Sequence, residues 1–156
     1  MLDKKLWNQY GRPRTESVRG ITIHNTGNSL SAKELEHIMS TTPNHYATHY
    51  FVDDVECIKV MPLDWGVWHT GKGFDMGNMR TIAIEICKSD SNEETYFKAQ
   101  KRAIRLIKRL MKEYEITKDN IYFHNDFNNT YCPHRILDIY KTKANFVGKE
   151  FKWVLN

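Results

Sequence analysis

One stretch of the sequence, residues 121–137, constrains the fold more than any other. It begins with the β-branched and aromatic run Ile121–Phe123, which predicts a buried strand, and His124 follows that strand directly. A loop rich in Asn then leads to Cys132 and Pro133. Because proline is favoured in the first turn of a helix, the Cys-Pro pair predicts a helix start. The chain must therefore bring an imidazole at a strand end close to a thiol at a helix start.

A strand-end histidine beside a helix-start cysteine suggests a zinc site. Zinc binds imidazole and thiolate well, and a thiolate at a helix N-terminus is stabilised by the helix dipole and the free N–H groups. A catalytic zinc takes three protein ligands and keeps a fourth position open. Residues 19–24 form another short apolar run that ends in a histidine, His24, which is the third candidate. Each residue alone would more often be structural, so the prediction depends on their joint occurrence.

Five motifs in this order resemble the zinc-dependent N-acetylmuramoyl-L-alanine amidases of the phage-endolysin type, which are related to the peptidoglycan-recognition proteins. They are I-x-I-H-N-T at 21–26, H-Y-F-V-D at 49–53, W-H-T-G at 68–71, I-A-I-E-I at 82–86 and H-x7-C-P at 124–133. The resemblance implies zinc ligation by His24, His124 and Cys132. It also implies an α/β fold, with residues 1–156 forming a single amidase catalytic domain whose central mixed β-sheet is flanked by helices.

The resemblance further implies catalytic and substrate-binding residues. Glu85 would act as the base, since a carboxylate in a strand of isoleucines is costly to bury without a purpose. Alternation along that strand leaves open a second interpretation, in which Glu85 lies on an exposed face. Thr130 stands where many relatives carry Lys, and its hydroxyl would donate a hydrogen bond to the developing oxyanion. The residues expected to bind substrate are Asn25, Thr48, Trp68 and His69.

Other polar residues near these motifs leave alternatives open. Some relatives have a Tyr near the metal at the position of Thr48, and Tyr46 or Tyr50 would be its substitute here. His134 as a fourth metal ligand would close the site, and helix geometry is expected to turn it away from the preceding cysteine. We expect His49, which precedes a strand, to be structural rather than a ligand.

Composition and charge limit the class of protein. The 156 residues are 40% hydrophobic and 27% charged, which suits one domain with one core. No stretch approaches the ~20 apolar residues of a membrane span, and the N-terminus lacks a signal-peptide core. We therefore expect a protein made in the cytoplasm that acts on the cell wall after release. Three cysteines make no disulfide framework, and Cys57 and Cys87 are expected in the core.

Hydrophobic periodicity predicts alternating strands and helices. The predicted elements are an extended arm at 1–18, a strand at 19–24, a helix opened by a capping box at Ser31–Glu34, a hairpin around Asp53–Asp54, a loop at 65–79, a strand at 81–87, a helix at 92–115 opened by a capping box at Ser91–Glu94, a helix at 133–140 and a tail helix at 145–156. The long helix has a basic face. A solvated face is favoured over nucleic-acid binding because no aromatic residues interleave with the charges.

The function that the resemblance implies is hydrolysis of the amide between N-acetylmuramic acid and L-alanine in bacterial peptidoglycan. We expect a zinc-dependent monomer with no nucleic-acid or membrane partner, and either a truncated endolysin or a stand-alone lysin. The alternative is a peptidoglycan-binding module without catalysis, but such relatives typically lack the cysteine that is present here as Cys132. A metal-dependent nuclease is disfavoured, because phosphate chemistry usually employs oxygen-ligated magnesium.

Overall fold

A computed structural model describes residues 1–42, 47–71 and 73–152. Its strands are β1 Gly11–Pro13, β2 Gly20–Asn25, β3 Tyr50–Val52, β4 Cys57–Lys59, β5 Trp65–Val67, β6 Thr81–Ile86 and β7 Ile121–Phe123. Its α-helices are α1 Trp7–Tyr10, α2 Ala32–Thr41, α3 Met76–Arg80, α4 Glu93–Glu113, α5 His134–Tyr140 and α6 Lys143–Glu150. Short 3-10 helices lie at Lys4–Leu6, Lys118–Asn120 and His124–Asp126.

The main sheet has the strand order β4-β3-β6-β2-β7. Strands β3, β6, β2 and β7 are parallel, whereas β4 pairs with β3 as the antiparallel arm of a hairpin. The predicted mixed sheet is therefore confirmed. Because β2 lies between β6 and β7, the ends of these three strands meet at one edge of the sheet, and the register sets His24 opposite Glu85.

The two faces of the sheet are covered by different layers. On one face, Ile21, Ile23 and Ile84 pack against apolar residues of α4, α5 and α6. On the other face, Phe51 and Ala83 pack against α2 and the N-terminal segment. Fully burying one such aliphatic or aromatic side chain stabilises the fold by about 1.5–3 kcal/mol. Successive side chains of a strand point to opposite faces of the sheet. Ile23 enters the core beside α4, so its neighbour His24 points to the opposite face.

Helix starts follow the polar signals in the sequence, with one shift. The Ser31 hydroxyl accepts from the Glu34 N–H and the Glu34 carboxylate accepts from the Ser31 N–H, so the first capping box is confirmed. The second capping box was expected to begin at Ser91, which is wrong by one residue. Asn92 is the N-cap of α4 and accepts from the Thr95 N–H. None of the helices within the described residues has both the length and the apolar character needed to traverse a lipid bilayer.

The N-terminal segment is not the extended arm that was expected. It forms a 3-10 turn, a helical turn and strand β1, and it buries Leu2 and Tyr10 in the core beside α2. The Tyr10 hydroxyl donates to the Met39 carbonyl. Arg14 is half-buried and donates to the carbonyls of Leu63 (2.8 Å) and Thr81 (2.7 Å), so it ties the segment to the start of β6.

Two further predictions are corrected. The expected loop at 65–79 contains β5, which pairs with β1, and the short helix α3. Cys57 is exposed rather than in the core, because β4 is the edge strand of the sheet, whereas Cys87 is buried as expected. The tail forms α6, and Phe146 and Phe151 are buried; the last part of the predicted tail helix, residues 153–156, lies outside the described residues.

Candidate metal centre and active site

Two strand ends and a helix start bring together His24, His124 and Cys132. His24 is the penultimate residue of β2, His124 follows the adjacent parallel strand β7, and Cys132 directly precedes Pro133, the N-cap of α5. The candidate ligand atoms of the three side chains all lie within 4.8 Å of one another, with His24 Nδ1 3.8 Å from Cys132 Sγ. The structure thus gathers the three residues that the sequence marked as metal ligands.

The geometry and chemistry of this group fit zinc. A tetrahedral zinc with bonds of about 2.0–2.3 Å keeps its ligand atoms roughly 3.3–3.6 Å apart, so the three atoms need to close in by only about 1 Å. Two imidazoles and one thiol are a borderline-soft set that suits zinc better than magnesium or calcium. The side chains of His24 and Cys132 are buried, and His124 is half-buried, which leaves one side of the group open to a cleft.

Burial keeps the imidazoles in the form that binds a metal. It lowers the pKa of His24 well below its usual value, and the neighbouring His69 and His124 lower it further. Burial also lowers the pKa of His124. The Cys132 thiol behaves differently, because burial and the nearby Glu85 raise its pKa to about 12. A metal ion would therefore have to displace the thiol proton on binding.

Glu85 lies beside the metal centre and is not on an exposed face. The residue is only 9% exposed, and Oε1 is 4.0 Å from His24 Nδ1. Within the described residues, Oε2 is buried and has no hydrogen-bond partner. Burial raises the pKa of this carboxyl to about 8. Glu85 thus places a buried carboxyl group, with a pKa near neutrality, beside three metal-ligand candidates, where it can exchange a proton with a molecule in the cleft.

The start of α5 is capped by Asn25 rather than by the cysteine. The Asn25 side-chain oxygen accepts from the N–H of Arg135 (3.0 Å) and of Ile136 (3.4 Å), and its amide nitrogen donates to the Tyr96 hydroxyl (3.3 Å). The expectation that these free N–H groups stabilise a Cys132 thiolate is therefore wrong, because Asn25 takes them. Asn25 is mostly buried and its polar atoms are used in this way, so its expected substrate-binding role stays a prediction.

A cleft of about 410 Å³ opens over the metal centre. Glu85 and the three ligand candidates form its floor, and its rim includes Trp68, Thr130 and Tyr131. Trp68 is half-buried, whereas Thr130 is exposed and Tyr131 is 62% exposed. Within the described residues, the Thr130 hydroxyl makes no hydrogen bond to the protein, so it can turn toward a bound molecule.

Comparison with known proteins agrees with this arrangement. A family model described as N-acetylmuramoyl-L-alanine amidase matches residues 14–135. The chain belongs to the N-acetylmuramoyl-L-alanine amidase family. The N-acetylmuramoyl-L-alanine amidase CwlA of Bacillus subtilis (strain 168) is 39% identical over 126 residues, which cover 80% of this chain and 46% of CwlA. The chain thus corresponds to less than half of this curated relative.

Solved structures share the fold of this chain. The structure of PlyL superposes with a TM-score of 0.87 at 31% identity, covering 96% of this chain and 94% of PlyL. A mutant endolysin from Bacillus subtilis superposes with a TM-score of 0.79 at 30% identity, covering 95% and 96% of the two chains. These likenesses confirm the family resemblance of the five motifs and the mixed α/β architecture.

Of the expected substrate-binding residues of this family member, Thr48 does not face the cleft, and His69 reaches it with both ring nitrogens already engaged. Thr48 has no exposed surface, and its hydroxyl donates to the carbonyls of Tyr50 (3.2 Å) and Ala83 (3.1 Å), so the structure contradicts its predicted role. Of its two proposed substitutes, Tyr50 is buried in the core and Tyr46 lies outside the described residues. His69 lines the cleft, but its two ring nitrogens contact His24 and the Gly77 carbonyl.

Sequence reasoning missed one polar residue that supports the centre, Asn128. The Asn128 amide nitrogen donates to the Thr70 carbonyl (3.0 Å) and lies 2.9 Å from His124 Nε2. His134 lies at the edge of the cleft with Nε2 3.0 Å from Asp90 Oδ1, and it is outside the group of metal-ligand candidates. The Asn-rich composition of the loop at 124–130 was the available signal for Asn128, but composition could not say which Asn reaches the histidine.

Proposed function

We propose that this chain is the zinc-dependent catalytic domain of a cell-wall lysin that cleaves the amide between N-acetylmuramic acid and L-alanine. The observation that carries the proposal is the group of His24, His124 and Cys132 on the floor of an open cleft, with the buried Glu85 carboxyl group beside it, whose Oε2 has no hydrogen-bond partner among the described residues. The names of the relatives support this bond as the target, and peptidoglycan as the substrate. The likeness to an endolysin supports action on the cell wall after release.

The residues of the cleft have separate roles in this reaction. Zinc held by His24, His124 and Cys132 would supply a Lewis acid that polarises the amide carbonyl and makes water more acidic. Glu85 takes the proton from the attacking water and passes it to the nitrogen of the leaving L-alanine. The Thr130 hydroxyl donates a hydrogen bond to the carbonyl oxygen as negative charge develops there.

The rim and the walls position the substrate for this proton transfer. Trp68 is half-buried and lines the cleft, and an indole ring there suits contact with the apolar face of a sugar or with a peptide. Asn25 holds the start of α5 and so keeps Cys132 at the floor. A peptidoglycan-binding module without catalysis is the second candidate, but the thiol ligand and the buried base are features that binding alone does not need.

Digestion of purified peptidoglycan tests the proposal. Zinc-loaded protein should release intact stem peptides that carry L-alanine at a new amino terminus, which mass spectrometry identifies, and should create no new reducing sugar ends. New reducing ends without free L-alanine amines would show that the protein is a glycosidase and not an amidase. Binding to the wall with no released product would leave the binding module as the function.

A further inference from the structure

His69 is buried and points both ring nitrogens into the protein. Its Nδ1 lies 2.9 Å from His24 Nε2. Its Nε2 lies 3.1 Å from the Gly77 carbonyl oxygen and 3.3 Å from the Thr81 hydroxyl oxygen. His24 therefore uses one nitrogen toward His69 and turns the other, Nδ1, toward Cys132. The two imidazoles form a short chain that runs from the metal centre to a backbone carbonyl.

The contact between His69 and the Gly77 carbonyl determines which ring nitrogens of the two histidines carry protons. The Gly77 carbonyl oxygen can only accept a hydrogen bond, so the His69 Nε2 that faces it must carry a proton. The Thr81 hydroxyl is consistent with this, because it donates its own proton to the same carbonyl at 2.7 Å and presents an oxygen to His69. A neutral imidazole with its proton on Nε2 has a lone pair on Nδ1.

The proton assignment then passes from His69 to His24. Because His69 Nδ1 is an acceptor, His24 Nε2 must be the donor across their 2.9 Å contact. A neutral His24 that carries its proton on Nε2 has its lone pair on Nδ1, the nitrogen that lies 3.8 Å from Cys132 Sγ. We propose that His69 is a positioning residue that holds His24 in the tautomer whose Nδ1 is free to bind zinc.

The loop around His69 is built to hold its ring in place. The Asn78 side-chain oxygen accepts from the backbone N–H of His69 (2.8 Å) and of Thr70 (2.9 Å). Asp75 in turn accepts from the Asn78 N–H at 2.8 Å as the N-cap of α3. At position 77 a Cβ would come within 2.5 Å of Thr70, so glycine allows the carbonyl that faces His69 to approach this closely.

This inference rests on the proposed function, because it assumes a metal at the centre. It gives His69 a different role from the substrate contact predicted from the W-H-T-G motif. His49 is a second buried histidine, but its role differs from that of His69. Its ring contacts the Ala83 N–H, the Trp65 carbonyl and Arg14, and it reaches no metal-ligand candidate. Loss of a partner that orients a metal-bound histidine typically weakens metal affinity about 10–100-fold.

Two nearly isosteric variants test the role of His69 through zinc affinity. In His69→Asn, the side-chain oxygen stands near the position of Nδ1 and can still accept from His24. In His69→Leu, the shape is similar but no acceptor remains. Competition with a chelator should show zinc affinity close to that of the parent for His69→Asn and a loss of about 10–100-fold for His69→Leu. Equal affinity in both variants would overturn the proposal.

Nitrogen chemical shifts of the histidine rings provide a test that needs no variant. In the metal-free parent, His24 and His69 should both carry their proton on Nε2, which 15N NMR distinguishes from the Nδ1 tautomer. A proton on His24 Nδ1 would overturn the proposal even if His69→Leu fails to fold. If the parent binds no zinc, the metal centre of the proposed function is overturned as well. If the parent binds zinc and the two variants bind it with equal affinity, only the role of His69 is overturned.

Discussion

At the scale of single residues, Glu85 shows how the site departs from what stability favours. Its buried carboxyl group has one oxygen without a hydrogen-bond partner in the part of the chain that the structure describes, which costs free energy, and the neighbouring strand positions are filled with isoleucine. Glu85 occupies the position of β6 that lies directly opposite His24. The sequence could indicate Glu85 only as one of two interpretations, because alternation alone does not say which face of a strand a helix or loop will cover.

His49 is also buried, but its contacts are structural. Its Nδ1 accepts from the Ala83 N–H at 2.9 Å and its Nε2 lies 2.8 Å from the Trp65 carbonyl, so it joins β6 to β5. Burial, and then the Arg14 guanidinium, lower the pKa of His49 to about 3, although the Trp65 carbonyl acts in the opposite direction. The structural role expected from the sequence agrees with these contacts.

The low pKa of His49 predicts a loss of stability in acid. The unfolded chain takes up a proton on this residue near its ordinary pKa of 6.5, while the folded chain resists protonation down to about 3. Its contribution to stability is therefore complete above pH 6.5 and is lost as the pH falls toward 3. Urea unfolding of metal-free protein between pH 7 and 4 should show a smaller pH dependence in His49→Asn, by up to ~1.4 kcal/mol per pH unit. Identical pH slopes would contradict this assignment.

At the scale of elements, the sequence identified the strands and helices that carry the ligands. The apolar runs that precede His24 and His124 and the capping signal at Ser31 act over a few neighbouring residues, so they can be recognised locally. The elements that were missed depend on distant partners. Strand β5 has three residues and exists because it pairs with β1, and the expected N-terminal arm folds because Leu2 and Tyr10 enter a core formed by later elements.

The same distinction applies to the site residues. His24, His124 and Cys132 could be proposed from residue type and order, because few other side chains suit zinc. The hydrogen bonds of Asn25, His69 and Asn128 could not, since they depend on the close packing of loops. Cys57 was expected in the core and is exposed, because a strand-like pattern does not reveal that its strand lies at the edge of the sheet.

Capping of α5 by Asn25 predicts an effect on both stability and the metal centre. Asn25→Ala removes the acceptor for two N–H groups of the helix, which should lower the free energy of unfolding by about 0.5–2 kcal/mol. Zinc affinity should fall too, because Cys132 lies directly before the capped helix. Asn92→Ala is the matched control, since it removes the N-cap of α4 away from the ligands.

The measurements are urea unfolding and zinc competition on both variants. Asn92→Ala should lose comparable stability and keep the zinc affinity of the parent. If Asn25→Ala keeps its stability and changes only the KM for peptidoglycan, Asn25 contacts the substrate, as the sequence first indicated, and capping is not its main role.

At the scale of the whole molecule, a metal would join parts of the chain that are far apart in sequence. The three ligand candidates come from β2, from the turn after β7 and from the residue before α5, which the β2–β7 pairing and the Asn25 cap already hold together. A ligand that binds the folded state alone stabilises it in proportion to the logarithm of its concentration. The metal should therefore stabilise the fold in addition to serving catalysis.

Zinc at 100 times its dissociation constant should raise the free energy of unfolding by about 2.7 kcal/mol, and chelation should reverse the gain. Thermal or urea unfolding with and without zinc measures this change. Magnesium at the same concentration is the control and should have no such effect, because imidazole and thiolate are poor ligands for it. Equal stabilisation by the two ions would argue against a site built from these residues.

The central claim is that three residues hold a metal while Glu85 carries the proton, and the most direct test measures zinc content and amidase rate on the same preparations of parent, Cys132→Ser and Glu85→Gln. Cys132→Ser should lose both properties, because a neutral hydroxyl is a far poorer zinc ligand than a thiolate. Glu85→Gln should keep its zinc and lose about 10²–10⁴-fold in rate. A Glu85→Gln variant that holds zinc and turns over like the parent would contradict the account.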